Sequence, residues 1–83
     1  MNPFETFYPE LDICATGKTI QIKSMRPIPS CWIKISDRAG KIVFKVVERD
    51  LTETSIPLKV KRGFYDVTLV TENSFATKMV YLE

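Results

Sequence analysis

The side chains that could act as nucleophiles, general bases or metal ligands are few in this chain of 83 residues. Histidine, which most often serves as a general base near neutral pH, is absent. Cys14 and Cys31 are the only cysteines, which is too few for a zinc site built from four thiolates. Three dispersed glycines do not make a phosphate-binding loop. We therefore predict no catalytic residue, no metal ligand and no cofactor, and we expect that the protein is not an enzyme.

The acidic residues do not indicate a pair of carboxylates for general acid and base catalysis. Most of them fall in predicted turns or at outward positions of predicted strands, where carboxylates are ordinarily solvated. The residues concerned are Asp37, Glu48, Asp50, Glu53, Asp66 and Glu72.

The two cysteines allow two interpretations. In an exported protein they could form a disulfide, provided that their Cα atoms come within about 7 Å of each other. Alternatively, each is a small apolar residue in or beside a strand, since free cysteine is among the residue types most often buried. We favour the second interpretation.

The charge balance argues against a nucleic-acid partner. Twelve basic residues against ten acidic ones give a net charge of +2, far from the concentrated positive charge that phosphate backbones require. No stretch approaches the roughly 20 apolar residues of a membrane-spanning helix. The N-terminus lacks a basic segment followed by an apolar run, so we expect either a cytosolic protein or an exported one whose signal is missing from this sequence.

Trp32, the only tryptophan, allows two interpretations as well. Trp32 and Lys34 share one face of a predicted strand and could form a platform for a sugar or a peptide. Alternatively, Trp32 is the core tryptophan that many β-sandwiches carry on their third strand. The parity that buries Ile33 and Ile35 exposes Trp32, whereas the opposite assignment of sheet faces buries it. We favour the core interpretation and keep a binding surface at Trp32 and Lys34 as the alternative.

The elements that would position these residues are strands, because apolar residues recur with a period of two and no helical stripe is present. Prolines at positions 27 and 29 predict a loop over residues 26–30, since proline cannot donate to a strand ladder. The strands are predicted near residues 11–13, 19–23, 31–35, 42–47, 56–60, 65–71 and 75–82, with a turn at 72–74. About seven antiparallel strands predict an all-β sandwich in one domain, residues 10–83, after an irregular leader over residues 1–9. A small barrel is the alternative architecture.

Two strands carry faces that the pattern only partly resolves. In residues 42–47 the more apolar face comprises Ile42, Phe44 and Val46. In residues 75–82 both parities contain apolar side chains, and we favour as core the set that ends in two aliphatic residues. That set is Ala76, Lys78, Val80 and Leu82, with Lys78 near the rim, where its stem can pack while its charge stays solvated.

Two turns carry residues with a structural role. Asp37 and Gly40 have the chemistry of a tight turn, in which the acid accepts local amides and the glycine tolerates a positive φ. Gly63 precedes the strand-opening Tyr65 by two residues, which suits a corner where the chain bends and the phenol hydroxyl bonds back to the loop.

From Trp32 onward the order of these signals resembles the C-terminal sorting domains of proteins exported by type IX secretion systems. It is equally similar to a family of small immunoglobulin-like secreted proteins of unknown function from gut bacteria of the same lineage. The stretches that carry the resemblance are residues 33–43, 56–58, 63–67 and 78–80.

The resemblance implies an immunoglobulin-like β-sandwich in which Gly63, Tyr65 and Lys78 match motif positions without being catalytic. It also implies an extracellular, cell-surface or periplasmic location. The expected function is a non-enzymatic exported module for protein interaction or an accessory role, and the alternative is a sorting domain recognised by the type IX secretion machinery. A protein partner would meet a sheet face or an exposed edge strand.

Overall fold

Five antiparallel β-strands make up the fold in the computed structural model, which describes residues 11–72 and 75–83. They form one curled sheet in the order β1-β2-β4-β5, and β3 pairs with the other side of β2. The all-β prediction is confirmed for the described residues, which form strands and no helix. Among them there is accordingly no helix long and apolar enough to cross a membrane. The predicted leader over residues 1–9 and the centre of the turn at 72–74 lie outside these residues. The strands are β1 (Leu11–Thr16), β2 (Thr19–Ser36), β3 (Ile42–Pro57), β4 (Gly63–Val70) and β5 (Phe75–Leu82).

The prediction of seven strands is wrong because two pairs of predicted strands are continuous. Residues 19–23 and 31–35 both belong to β2, and residues 42–47 and 56–57 both belong to β3. Pro27 does not break β2 because it lies where the β2–β3 ladder is interrupted, and Pro29 lies between the pairs Ile28–Leu51 and Ser30–Arg49. The pairs Lys23–Glu53 and Ile28–Leu51 are separated by four residues on β2 but by a single residue, Thr52, on β3. Pro27 therefore sits in a bulge that requires no amide donor.

This bulge lets the sheet curl around a single core. The Ser24 hydroxyl donates a hydrogen bond of 2.5 Å to the carbonyl of Arg26 within the bulge. On either side of it, isoleucines of β2 project to the concave face, and each one removed from water contributes about 1.5–3 kcal/mol. The largest fully buried side chains of the core are Ile13, Ile20, Ile22, Ile28, Ile33, Ile35, Leu69 and Leu82.

The outer edges of β1 and β5 approach each other without pairing in a ladder, so the sheet is open and does not close into a barrel. The Lys78 ammonium donates to the Ile13 carbonyl at 2.6 Å, and the Glu83 amide donates to the Gly17 carbonyl at 3.0 Å. Lys78 thus lies at the rim as predicted. The favoured core face of β5 is confirmed, since its other three members are buried.

One residue of the predicted apolar face of β3 points the other way. Phe44 and Val46 pack partly buried against the core, but Ile42 is 49% exposed. Ile35 pairs with Phe44, whereas its neighbour Ser36 pairs with Ile42, so Val43 is an extra residue in the ladder. A one-residue bulge reverses the side-chain parity, which moves Ile42 to the outer face.

The two predicted turn motifs are both present. The Asp37 carboxylate accepts hydrogen bonds of 2.9 Å from the amides of Ala39 and Lys41, and Gly40 has a φ of 87°. Tyr65 is only 6% exposed, and its hydroxyl donates to the Lys61 carbonyl at 2.6 Å. Gly63 has a φ of 153°, a conformation that side-chain-bearing residues rarely adopt, so the glycine permits the bend before this corner.

Candidate binding face of the sheet

The potentially reactive side chains are dispersed over the fold. Within residues 11–72 and 75–83, no three cysteine, aspartate or glutamate side chains are grouped so that they could hold a metal ion. Both cysteines are free thiols in strands, Cys14 exposed and Cys31 buried. Burial raises the pKa of Cys31, and the Glu48 carboxylate on the paired strand raises it further. Cys31 is therefore held in the protonated form, which is a poor nucleophile.

The outer face of the sheet, on the side opposite the core, carries a continuous line of apolar side chains. Val47 pairs with Trp32, Trp32 pairs with Val70, and Val70 pairs with Phe75. Directly opposed residues of antiparallel strands project to the same face, so β3, β2, β4 and β5 each contribute one side chain at the same level. We name this line the apolar row. Val47, Trp32 and Phe75 are 42%, 46% and 58% exposed, and Val70 is half-buried.

The favoured prediction that Trp32 lies in the core is wrong. Cys31, Ile33 and Ile35 point inward from β2, so the alternation of the strand turns Trp32 and Lys34 outward together. The structure therefore brings together the two residues of the alternative prediction, on one face.

Cations lie beside the tryptophan. Lys34 pairs with Lys45 across the β2–β3 ladder, in the row next to the apolar row. The Lys45 ammonium lies 4.7 Å from the centroid of the Trp32 ring, which is cation–π geometry worth about 0.5–1 kcal/mol at an exposed position. This contact holds the indole and the ammonium as one unit, with an apolar surface bordered by positive charge.

A shallow depression of about 250 Å³ lies between these side chains and is lined by Trp32, Lys34, Lys45 and Val70. Pockets that enclose small molecules usually measure about 300–1,000 Å³ and bury most of the ligand surface. This depression is smaller and open. It fits one or two side chains of a partner better than an enclosed metabolite.

Two further aromatic residues extend the outer face beyond a polar row. Phe64 and Tyr81 are opposed on β4 and β5, with ring centroids 5.0 Å apart and an angle of 67° between the rings. Between this pair and the apolar row, the hydroxyls of Thr68 and Thr77 lie 3.1 Å apart. The outer face thus presents two apolar areas separated by a polar strip.

The alternation within single strands does not identify Val47, Val70 and Phe75 as surface residues with a shared role. Each belongs to the outward parity of its strand, which a period of two can indicate. Their alignment with Trp32 depends on the register of three ladders, and the sequence pattern does not fix that register.

Comparison with known proteins assigns the chain to no family. No protein-family model matches it, and no curated protein matches its sequence at a significant level. The basis for a functional inference is therefore the chemistry of the sheet surface.

Proposed function

We propose that this protein is a non-enzymatic immunoglobulin-like module that binds another protein through the apolar row on the outer face of its sheet. The observation that carries the proposal is the row itself, in which four adjacent strands expose apolar side chains at one level. Aromatic residues are enriched at the centres of protein interfaces, and tryptophan is among the residues whose truncation most often weakens binding strongly. Trp32 would be the anchor and its lysine neighbours the charged rim.

The dimensions of the row bear on the strength of binding. Three strand intervals of about 4.8 Å make the row about 14 Å long and only one side chain wide, so its area is small beside the roughly 800 Å² that each partner buries in a standard interface. A partner confined to the row would bind transiently. A partner that also covered Phe64 and Tyr81 would bury more apolar area and dissociate more slowly.

Two features support the immunoglobulin-like sandwich within this proposal. The bulge at residues 24–27 divides the long β2–β3 hairpin, and side chains from both halves join one buried cluster. The Tyr65 hydroxyl bonds back to the Lys61 carbonyl at the entrance to β4, as in the tyrosine corner of such domains. An exported, accessory role rests on the resemblance of residues 33–80 to secreted immunoglobulin-like proteins.

A sorting domain for type IX secretion is the second candidate. It is favoured because the residues at the positions of the sorting motif have structural roles in this fold. Gly63 and Tyr65 form the corner, and Lys78 bridges β5 to β1. If this candidate is correct, a reporter fused ahead of the chain should reach the surface of a cell with that machinery. Retention of the fusion inside the cell, with the domain folded, would contradict it.

The binding proposal can be tested by site-specific photocrosslinking in the host cell. A benzophenone amino acid at position 75, which replaces one exposed aromatic ring of the row by another and leaves Trp32 in place, should capture a specific protein, whereas the same group at position 25 should not. Met25 is the matched control because it is an exposed apolar residue of β2 within the bulge and outside the row.

The captured partner is then titrated against purified variants. Trp32→Thr should weaken binding at least tenfold, and Met25→Thr should leave it unchanged. Equal capture from both positions, or equal affinity of both variants, would contradict binding through the apolar row.

A further inference from the structure

The sheet has one edge along which no described strand lies. Among residues 11–72 and 75–83, β3 pairs only with β2. The edges of β1 and β5 face each other, joined by the Lys78 and Glu83 hydrogen bonds. The unpaired backbone groups of β3 are therefore the most accessible template for another chain.

The first half of β3, residues 42–49, is also the part of this edge that adjoins the apolar row. Its outward positions alternate between cationic and apolar residues, since Lys45, Val47 and Arg49 share the outer face with Trp32. All three are exposed. An added strand would place one of its outward side chains opposite Val47. The side chains two residues before and two residues after that one would lie opposite Lys45 and Arg49.

A second copy of the chain is a poor occupant of this edge. Antiparallel pairing of two copies of this segment, centred on Val47, would place Lys45 of one copy opposite Arg49 of the other. Directly opposed like charges destabilise strand pairs. The favourable occupant has the opposite charge.

We propose that an extended peptide segment, with carboxylates alternating with an apolar residue on one face, adds as a strand to residues 42–49 of β3. Its apolar side chain packs against Val47, which is the β3 end of the apolar row, while its carboxylates pair with Lys45 and Arg49. Backbone hydrogen bonds supply affinity, and the alternation of side chains supplies selectivity. This inference deepens the proposed function, because it rests on the same outer face and names the partner's chemistry.

The test uses synthetic capped peptides of about eight residues, the length that residues 42–49 can pair. The first carries glutamate and valine in turn at alternate positions, with threonine between them. A second replaces glutamate by lysine. Two more repeat the glutamate peptide with N-methyl groups on the odd-numbered or the even-numbered residues, which removes the amide donors of one edge at a time. Because Trp32 is the only tryptophan, its fluorescence reports binding directly.

The glutamate peptide should bind at least tenfold more tightly than the lysine peptide, and only one of the two N-methylated peptides should lose affinity. Lys45→Glu should reverse the preference, whereas Lys59→Glu, an exposed lysine outside the described strands, should not. Absence of binding at millimolar concentration, equal binding of both charge types, or full binding by both N-methylated peptides would each overturn the inference. If these peptides fail while Trp32→Thr still weakens capture of the natural partner, the proposed function stands and pairing at the β3 edge is wrong.

Discussion

Replacing Tyr65 by phenylalanine tests the corner that leads into β4. The substitution keeps the buried ring, which is 6% exposed, and removes only the hydroxyl that donates to the Lys61 carbonyl at 2.6 Å. A hydrogen bond of this kind contributes about 0.5–1.5 kcal/mol, and an acceptor left buried and unpaired costs about 1–3 kcal/mol. The bond is only partly buried, so water can reach the Lys61 carbonyl in the variant. The lower range therefore applies, and we expect a loss of about 1 kcal/mol.

Urea unfolding followed by circular dichroism measures this loss at equilibrium. In a domain of this size, about 1 kcal/mol also corresponds to a fall of about 4–8 °C in Tm. Tyr81→Phe is the matched control, because Tyr81 is 46% exposed and its ring, rather than a hydroxyl bond, contacts Phe64. Unchanged stability of Tyr65→Phe, or an equal loss in both variants, would refute the corner as a stabilising contact.

Three further variants or reagents test the fold and the outer face. An aromatic disulfide reagent should modify Cys14 in the folded protein but Cys31 only after unfolding. Because burial raises the pKa of Cys31, the contribution of this thiol to the free energy of unfolding should be constant below the ordinary thiol pKa and should fall as the pH rises through the raised pKa. Urea unfolding at several pH values measures this fall. Lys78→Met removes a charged hydrogen bond to a β1 carbonyl at the rim and should cost about 1 kcal/mol in urea unfolding, less than a buried bond of this kind because Lys78 is exposed. Trp32→Thr should change the unfolding free energy by no more than about 1 kcal/mol, because an exposed side chain in a strand contributes little to stability; a larger loss would show that Trp32 supports the fold.

Alternation of side chains was sufficient to predict much of the inner face. Ile20 and Ile22 are buried from one half of β2, and Ile33 and Ile35 from the other, as a period of two requires. The corner at Tyr65 was also predictable, because the glycine and the tyrosine that form it are only two residues apart. These features depend on near neighbours in the chain, which a sequence pattern describes well.

The number of strands and the face of Trp32 depend on pairing between distant segments. Pro27 predicts the end of a strand, because proline cannot donate a hydrogen bond to a neighbouring strand. In the bulge, however, the position of Pro27 has no partner on β3, so no donor is needed. Likewise, one extra residue at Val43 turned Ile42 outward. Bulges are fixed by the register of the partner strand, so the alternation within one strand does not reveal them.

The outer face carries information that the inner face does not. Inward positions must be apolar because folding removes them from water, whereas outward positions accept any residue that suits a strand. The row next to the apolar row illustrates this freedom, since it consists of Lys45, Lys34, Thr68 and Thr77 on the same four strands. The core therefore does not explain why the adjoining level holds valines and aromatic rings. Exposed apolar surface on a sheet also increases the risk of unspecific association, which charged outward residues would avoid. The apolar row is therefore the surface at which the proposed partner should be sought first.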